Sequence, residues 1–86
     1  MGDRPGGVEP VNYHLYEDSV PAGSVAEADL ASNLAAAEWA KGWLQDCATH
    51  DRYTIERADG RFSACLIRTV GGQWYAMPKT GFFVAE

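Results

Sequence analysis

The sequence predicts an α+β fold in which one capped α-helix packs on a three- to four-stranded antiparallel sheet, in the order β-α-β-β-β. Residues 11–16 alternate between apolar and polar positions, as a half-buried strand does. An alanine-rich stretch of high helix propensity follows, and then three β-type runs separated by turn signals at Asp59-Gly60 and Gly71-Gly72. With 86 residues, 47% of them hydrophobic, the chain has material for one small core.

The domain is expected to span residues 11–86, because residues 1–10 hold three glycines, two prolines and almost nothing to bury. Those ten residues are therefore predicted to form a flexible N-terminal arm. In the first strand, Val11, Tyr13 and Leu15 share one side, and Asn12, His14 and Tyr16 share the other.

The helix is predicted to begin at a capping box formed by Ser24 and Glu27, and to run to about Ala48. At about 100° per residue its apolar stripe would face the sheet. The predicted stripe consists of Ala26, Leu30, Leu34, Ala37, Leu44 and Cys47. The side predicted to face water consists of Glu27, Glu38, Gln45 and Asp46.

The turn signals set the registers of the last three strands. A two-residue type I′ turn at Asp59-Gly60 places Ile55 opposite Ala64, and a second tight turn at Gly71-Gly72 places Leu66 opposite Met77. The inner face should then carry Tyr53, Ile55, Phe62, Ala64, Leu66, Tyr75 and Met77. The outer face should carry Arg52, Thr54, Glu56, Arg61, Ser63, Cys65, Ile67, Thr69, Trp74 and Ala76.

Charge and cysteine usage limit the function classes. Residues 1–51 hold two basic and nine acidic residues, for a net charge of −7, whereas residues 52–86 hold five basic and three acidic residues, for +2. A general nucleic-acid binder is basic overall, so direct binding of nucleic acid is disfavoured. No apolar run approaches a membrane span, and no secretory signal is recognisable, so a cytoplasmic protein is expected. The two cysteines are expected to be free thiols, Cys47 facing the core and Cys65 on the far side of the sheet.

No catalytic or cofactor motif is recognisable in the sequence. Cys47, His50 and Asp51 lie close together, but residues one to four apart at a helix end rarely point at one another, so no catalytic role is assigned to them. His14 has no second ligand at useful spacing, so no metal is predicted. We expect no cofactor and no enzymatic activity.

Several residues are candidates for binding a partner. On the predicted outer face, Ile67 and Trp74 form an apolar centre with Arg52 and Arg61 at its margin, a mixture that is enriched in protein interfaces. Trp39 and Trp43 are four residues apart on one helix flank, where they either cover the rim of the sheet or anchor a partner. The acidic helix side offers Glu38 and Asp46 to a basic surface. These eight candidates are Trp74, Arg61, Arg52, Ile67, Trp39, Trp43, Glu38 and Asp46.

These features favour a small non-catalytic interaction domain, an inhibitor or adaptor that occludes or bridges a larger protein or complex. In general build the chain is similar to the small acidic inhibitors that phages use against bacterial defence complexes, anti-CRISPR proteins among them, although this similarity rests on no motif. It implies competition for a basic, nucleic-acid-handling surface. Two alternatives are a single-stranded nucleic-acid-binding module that uses Trp74 and the arginines, and an antitoxin-like or subunit protein that forms a homodimer by the outer face.

Overall fold

The computed structural model describes residues 10–18 and 23–81. Within them the chain forms one helix and five strands, which confirms the α+β class and corrects both the strand count and the element order. The elements are β1 (Val11–Glu17), β2 (Ala26–Leu30), α1 (Asn33–Cys47), β3 (Arg52–Arg57), β4 (Ser63–Arg68) and β5 (Trp74–Thr80). The predicted flexible arm, apart from Pro10, lies outside the described residues.

The five strands form one antiparallel sheet in the order β2-β1-β3-β4-β5, and α1 packs on one of its faces. We call the face toward α1 the inner face and the opposite one the outer face. The core lies between α1 and the inner face, where the side chains of the central strands are fully buried. It consists of Tyr13, Leu15, Ala36, Ala40, Leu44, Tyr53, Ile55, Phe62, Ala64, Leu66 and Trp74.

The segment predicted to start the helix is instead the edge strand β2. Ala26 and Leu30 pack against the core, while Glu27 and Asp29 are exposed, so the segment alternates with the period of a strand. Pairing with β1, in which His14 lies opposite Glu27, overrides the helix propensity of the alanines. The capping box predicted at Ser24 and Glu27 is therefore wrong.

The helix begins eight residues later, where Ser32 is the N-cap and its Oγ accepts a hydrogen bond from the Ala35 N–H at 3.0 Å. Its buried face is made mostly of alanines, Ala36, Ala37 and Ala40, which let the helix backbone approach the sheet closely. Leu44 completes this face. Two residues of the predicted stripe point elsewhere: Leu34 is 46% exposed and Cys47 is exposed.

The β3–β4 register is confirmed, because Ile55 lies opposite Ala64 and Tyr53 lies opposite Leu66. The turn, however, is not of type I′, which requires a positive φ at both central residues. Gly60 has a φ of 79° and no non-glycine residue has a positive φ in the described chain. The Gly60 N–H instead donates to the Arg57 carbonyl at 2.9 Å, which closes the turn one residue earlier.

The β4–β5 register differs from the prediction by one residue. Thr69 and Gln73 are hydrogen-bonded around a three-residue loop, in which Gly72 has a φ of 87° and its N–H donates to the Thr69 carbonyl. Leu66 consequently pairs with Ala76, and not with Met77. Because a one-residue slip moves every side chain of a strand to the other face, Trp74 and Ala76 lie on the inner face, and Tyr75 and Met77 lie on the outer face.

In the described part of the chain, no helix has the length and apolar character needed to cross a membrane.

Candidate protein-interaction surface

Within residues 10–18 and 23–81 no helix packs on the outer face of the sheet, and the registers arrange its side chains in rows that cross the strands. One row begins at Glu27 on β2 and continues through His14, Glu56 and Ser63 to the end of β5. The next row places Tyr16 opposite Thr54, Thr54 opposite Cys65 and Cys65 opposite Met77. A polar row therefore lies directly beside a largely apolar one.

The apolar residues of this face form a surface that we call the outer apolar band. It consists of Tyr16, Cys65, Ile67, Tyr75 and Met77. Tyr75 and Met77 are 53% and 52% exposed, although both are large apolar side chains in a regular strand. Ile67 lies opposite Tyr75 and is half-buried. Exposed apolar residues that are contiguous, rather than scattered singly, mark interaction sites.

Charges flank the band unevenly. Glu27 and Asp29 are exposed on β2, and Glu56 is exposed on β3. The His14 ring lies between two of these carboxylates: its Nε2 is 3.6 Å from Glu27 Oε1, and His14 is opposite Glu56 in the β1–β3 register. The basic residues lie toward the other side of the sheet, where Lys79 on β5 and Arg61 in the β3–β4 turn are both exposed.

Of the four residues predicted to form an interface on this face, the structure places three there or at its margin. Ile67 is in the band, Arg52 is opposite it on β3 and exposed, and Arg61 is at the turn end. Trp74 is not on this face, because it is only 7% exposed and packs edge-to-face on Tyr53, with the ring centres 5.8 Å apart. Its predicted role as an exposed contact residue rested on the wrong register.

The two helix tryptophans, Trp39 and Trp43, are half-buried and pack against the core, and each keeps part of its ring exposed. Of the acidic candidates beside them, Glu38 is exposed and forms an ion pair with Lys41 at 3.0 Å, and Asp46 is exposed. The helix side therefore offers charged residues next to two half-buried tryptophans, while the outer face offers the exposed Tyr75 and Met77.

A second feature, which the sequence did not predict, is an open cleft of about 300 Å³ where β1 ends beside the α1–β3 loop. It is lined by Glu17, Asp18, His50, Asp51 and Arg52. The Glu17 side chain is only 5% exposed, and His50 Nδ1 lies 3.3 Å from its Oε2. Asp18 accepts a hydrogen bond from the Thr54 hydroxyl at 2.8 Å. No local signal marks this cleft, because long-range β1–β3 pairing brings its residues together.

The cleft does not have the geometry of a nucleophile and base. A relay needs the hydroxyl and the carboxylate on opposite nitrogens of the imidazole. Here the Thr49 hydroxyl, at 2.9 Å, and the Glu17 carboxylate both meet His50 Nδ1. The Cys47, His50 and Asp51 set is divided as well, because Asp51 binds the Arg68 guanidinium at 2.6 Å, while Cys47 is an exposed free thiol. The structure therefore pairs His50 and Asp51 with residues distant in sequence.

The remaining predictions for single residues concern the thiols and metal binding. Both cysteines are free, as expected, but Cys47 is exposed and does not face the core. Within residues 10–18 and 23–81, no three His, Cys, Asp or Glu side chains are grouped so that they could hold a metal ion.

Comparison with known proteins returned no similarity for this chain: no family model, no curated protein and no solved structure matches it.

Proposed function

We propose that this chain is a non-catalytic protein-interaction domain, an inhibitor or adaptor that binds a protein surface through the outer face of its sheet. The observation that carries the proposal is the outer apolar band, in which Tyr75 and Met77 are more than half exposed among the described residues, while α1 covers the inner face. One-sided sheets normally present polar residues on the side facing water. Tyr75 and Met77 depart from this rule on neighbouring rows, and both are more than half exposed.

The composition of the band supports a protein partner. Tyrosine, methionine and arginine are enriched in protein interfaces, and a buried aromatic anchor surrounded by polar residues is the usual arrangement. Tyr75 supplies the aromatic ring, and Met77 and Ile67 supply adaptable apolar area. Arg52 supplies a charge at the margin of the band.

The outer face is a better binding surface than the β5 edge of the sheet. A partner that adds a strand to β5 needs backbone donors along that edge. Pro78 has no N–H to donate, and Lys79 next to it is a charged residue of the kind that protects sheet edges from pairing. Strand addition at the β5 edge is therefore disfavoured, and the proposal rests on the face of the sheet.

Direct binding of single-stranded nucleic acid is less well supported than the sequence alone indicated. That hypothesis needed Trp74 as a stacking platform, and Trp74 is buried in the core. The outer face also presents the carboxylates of Glu27, Asp29 and Glu56, which repel phosphate. The narrower hypothesis of a phage-type inhibitor of a defence complex stays a prediction.

The proposal is tested by capture experiments with tagged protein from nuclease-treated lysates of the cells that express it. We expect Tyr75→Lys and Met77→Lys to lose the proteins that the wild type captures. Leu34→Lys on α1 and Val70→Lys in the β4–β5 loop are matched controls, because both residues are exposed apolar side chains away from the outer face. Retained capture by the two outer-face variants, with circular dichroism unchanged, contradicts the proposal.

A further inference from the structure

We infer that the protein surface bound by the outer face is a second copy of this chain, so that two sheets stack in a symmetric dimer. This inference rests on the proposed function, because it names the partner of the same face. The evidence for it is that acidic and basic residues lie on opposite sides of the sheet. The acidic residues Glu27 and Asp29 lie on β2 at one edge, and the basic residues Lys79 and Arg61 lie toward the opposite edge.

The registers place Glu27 and Lys79 at the two ends of one row. Glu27 is opposite His14, His14 is opposite Glu56, and Glu56 is opposite Ser63. Ser63 pairs with Thr80, while Ala64 pairs with Pro78, so the intervening Lys79 is the extra residue of a β-bulge beside Ser63. The row is therefore acidic at the β2 end and basic at the β5 end.

A twofold axis between two stacked sheets, parallel to β3, makes such a row complementary to itself. The rotation reverses the strand order, so β2 of one copy lies over β5 of the other, and β1 lies over β4. Glu27 of each copy then faces Lys79 of the other, twice in the dimer. Strand directions stay aligned, as in sheet packings that cross at about −30°. A twofold interface of this kind needs one self-complementary patch.

The same rotation covers the apolar residues. Tyr16 on β1 comes over Cys65 on β4 of the second copy, because these strands flank β3 symmetrically. Tyr75 and Met77 come over the β1–β2 half, next to Tyr16 and to Val25, which is 45% exposed. The dimer thus removes from water the large apolar side chains that the monomer exposes on this face.

The area is adequate for a weak dimer. Five strands about 4.8 Å apart and about six residues long form a face of roughly 24 Å by 20 Å. Side chains make the accessible surface larger than this flat area, which brings it close to the roughly 600 Å² per partner at the lower end of specific interfaces. We therefore expect a dissociation constant in the micromolar range.

Two charged residues oppose this arrangement, because Glu56 and Arg52 are both exposed on β3 next to the axis and each meets its own copy there. Glu56 is exposed on β3, next to the axis, so the two copies bring two Glu56 carboxylates toward each other. Like charges that face each other across an interface weaken the association of the two copies. Glu56→Gln is therefore expected to strengthen the dimer about threefold, because it removes the repulsion between two carboxylates where the β3 strands lie over each other.

The test measures mass in solution by sedimentation equilibrium, from micromolar to millimolar protein. We expect wild-type chains of 9.4 kDa to approach twice that mass. Glu27→Lys and Lys79→Glu are each expected to weaken self-association about tenfold, because each places like charges together at both contacts. An equimolar mixture of the two variants is expected to regain wild-type association, since every contact then joins opposite charges. Circular dichroism checks the fold of each variant.

The outcomes separate this inference from the proposed function. A monomer at every concentration overturns the second-copy inference, and so do a dimer unaffected by both charge reversals and a mixture that does not recover. If the chain is monomeric while Met77→Lys still loses captured proteins, the outer face binds a different protein. A dimer that survives both Met77→Lys and the charge reversals uses another surface, which overturns the second-copy inference, and the capture experiment with Tyr75→Lys and Met77→Lys then decides the proposed function.

Discussion

The Tyr13 hydroxyl donates a hydrogen bond of 2.6 Å to Oδ1 of Asn33, which joins the middle of β1 to the first turn of α1. The Tyr13 ring is fully buried and meets Phe62 edge-on, with the ring centres 6.3 Å apart. Asn33 directly follows the N-cap Ser32. This partly buried hydrogen bond therefore links the start of the helix to the sheet.

Replacing Tyr13 with phenylalanine is expected to lower the free energy of unfolding by about 1–2 kcal/mol. The ring packing stays, while the hydrogen bond from the hydroxyl to Asn33 is lost. Urea denaturation measures the change. Tyr16→Phe is the control, because Tyr16 lies on the outer face and is half-buried, so a loss below about 0.5 kcal/mol is expected there. Equal losses in the two variants contradict this role for the Tyr13 hydroxyl.

The same tyrosine makes stability depend on alkaline pH. Burial raises the pKa of Tyr13, Asp59 adds to the effect, and Arg57 partly offsets it. The unfolded chain therefore gives up this proton at lower pH than the folded chain. The contribution of Tyr13 is complete below the usual tyrosine pKa of about 10 and is lost as the pH rises through the folded value. We expect the stability difference between wild type and Tyr13→Phe to shrink above pH about 10, in urea titrations at several pH values. A difference that stays constant rules this linkage out.

The pattern of apolar residues predicted the middle of the sheet correctly for a physical reason. Tyr53 and Ile55 on β3 share the inner face with Ala64 and Leu66 on β4, and a one-residue slip would move one of these pairs to the other face. The wrong turn type did not disturb that register. The segment 74–77, in contrast, is apolar at every position, so alternation cannot say which side chains face inward, and Gly71-Gly72 fits both a two-residue and a three-residue loop.

The segment 26–30 shows a different limit of the sequence. Its alanines favour a helix, and five residues are too few for the strand period to outweigh that propensity. Its pairing with β1 depends on chain closure through residues 18–25, which has no local signal. The candidate surface was affected in turn: Ile67 and Arg52 were recognised, but Tyr75 and Met77, the most exposed apolar side chains of the outer face, were assigned to the core.

Gly42 is expected to tolerate alanine and to stabilise the fold when replaced. It lies within α1, and a Cβ there would meet no atom within 4 Å. Alanine is preferred over glycine in a helix interior by about 0.5–1 kcal/mol, so Gly42→Ala should raise the free energy of unfolding by that amount. Gly72→Ala is the contrasting variant, because its φ of 87° strains any side chain although the space is open. A loss of about 1 kcal/mol is expected there, and thermal denaturation of both variants checks the two signs.

Adjacent residues of β4 should differ in their effect on stability. Leu66 is fully buried at the centre of the core, and Ile67 is half-buried on the outer face. Leu66→Ala is expected to cost about 2–5 kcal/mol, because it leaves a cavity between the sheet and α1. Ile67→Ala should cost clearly less in the monomer, as measured by denaturation at low protein concentration. Similar costs would mean that something covers both faces in the monomer.

Trp74 and Tyr75 are neighbours on β5 with opposite expected roles. Trp74 packs on Tyr53 and lies under the Arg68 guanidinium, which is 5.4 Å from the ring centre, and Arg68 also binds Asp51. Trp74→Ala is therefore expected to cost about 3–5 kcal/mol and to unfold much of so small a domain. Tyr75→Ala removes a ring that is 53% exposed, so the melting temperature should change little, while self-association and partner capture should weaken at least tenfold. Measuring melting and association for both variants separates core from contact residue. If the Trp74→Ala variant is stable but fails to bind while the Tyr75→Ala variant binds normally, Trp74 lies on the outer face. That result would support the register predicted from the sequence and contradict the placement of Tyr75 on the outer face.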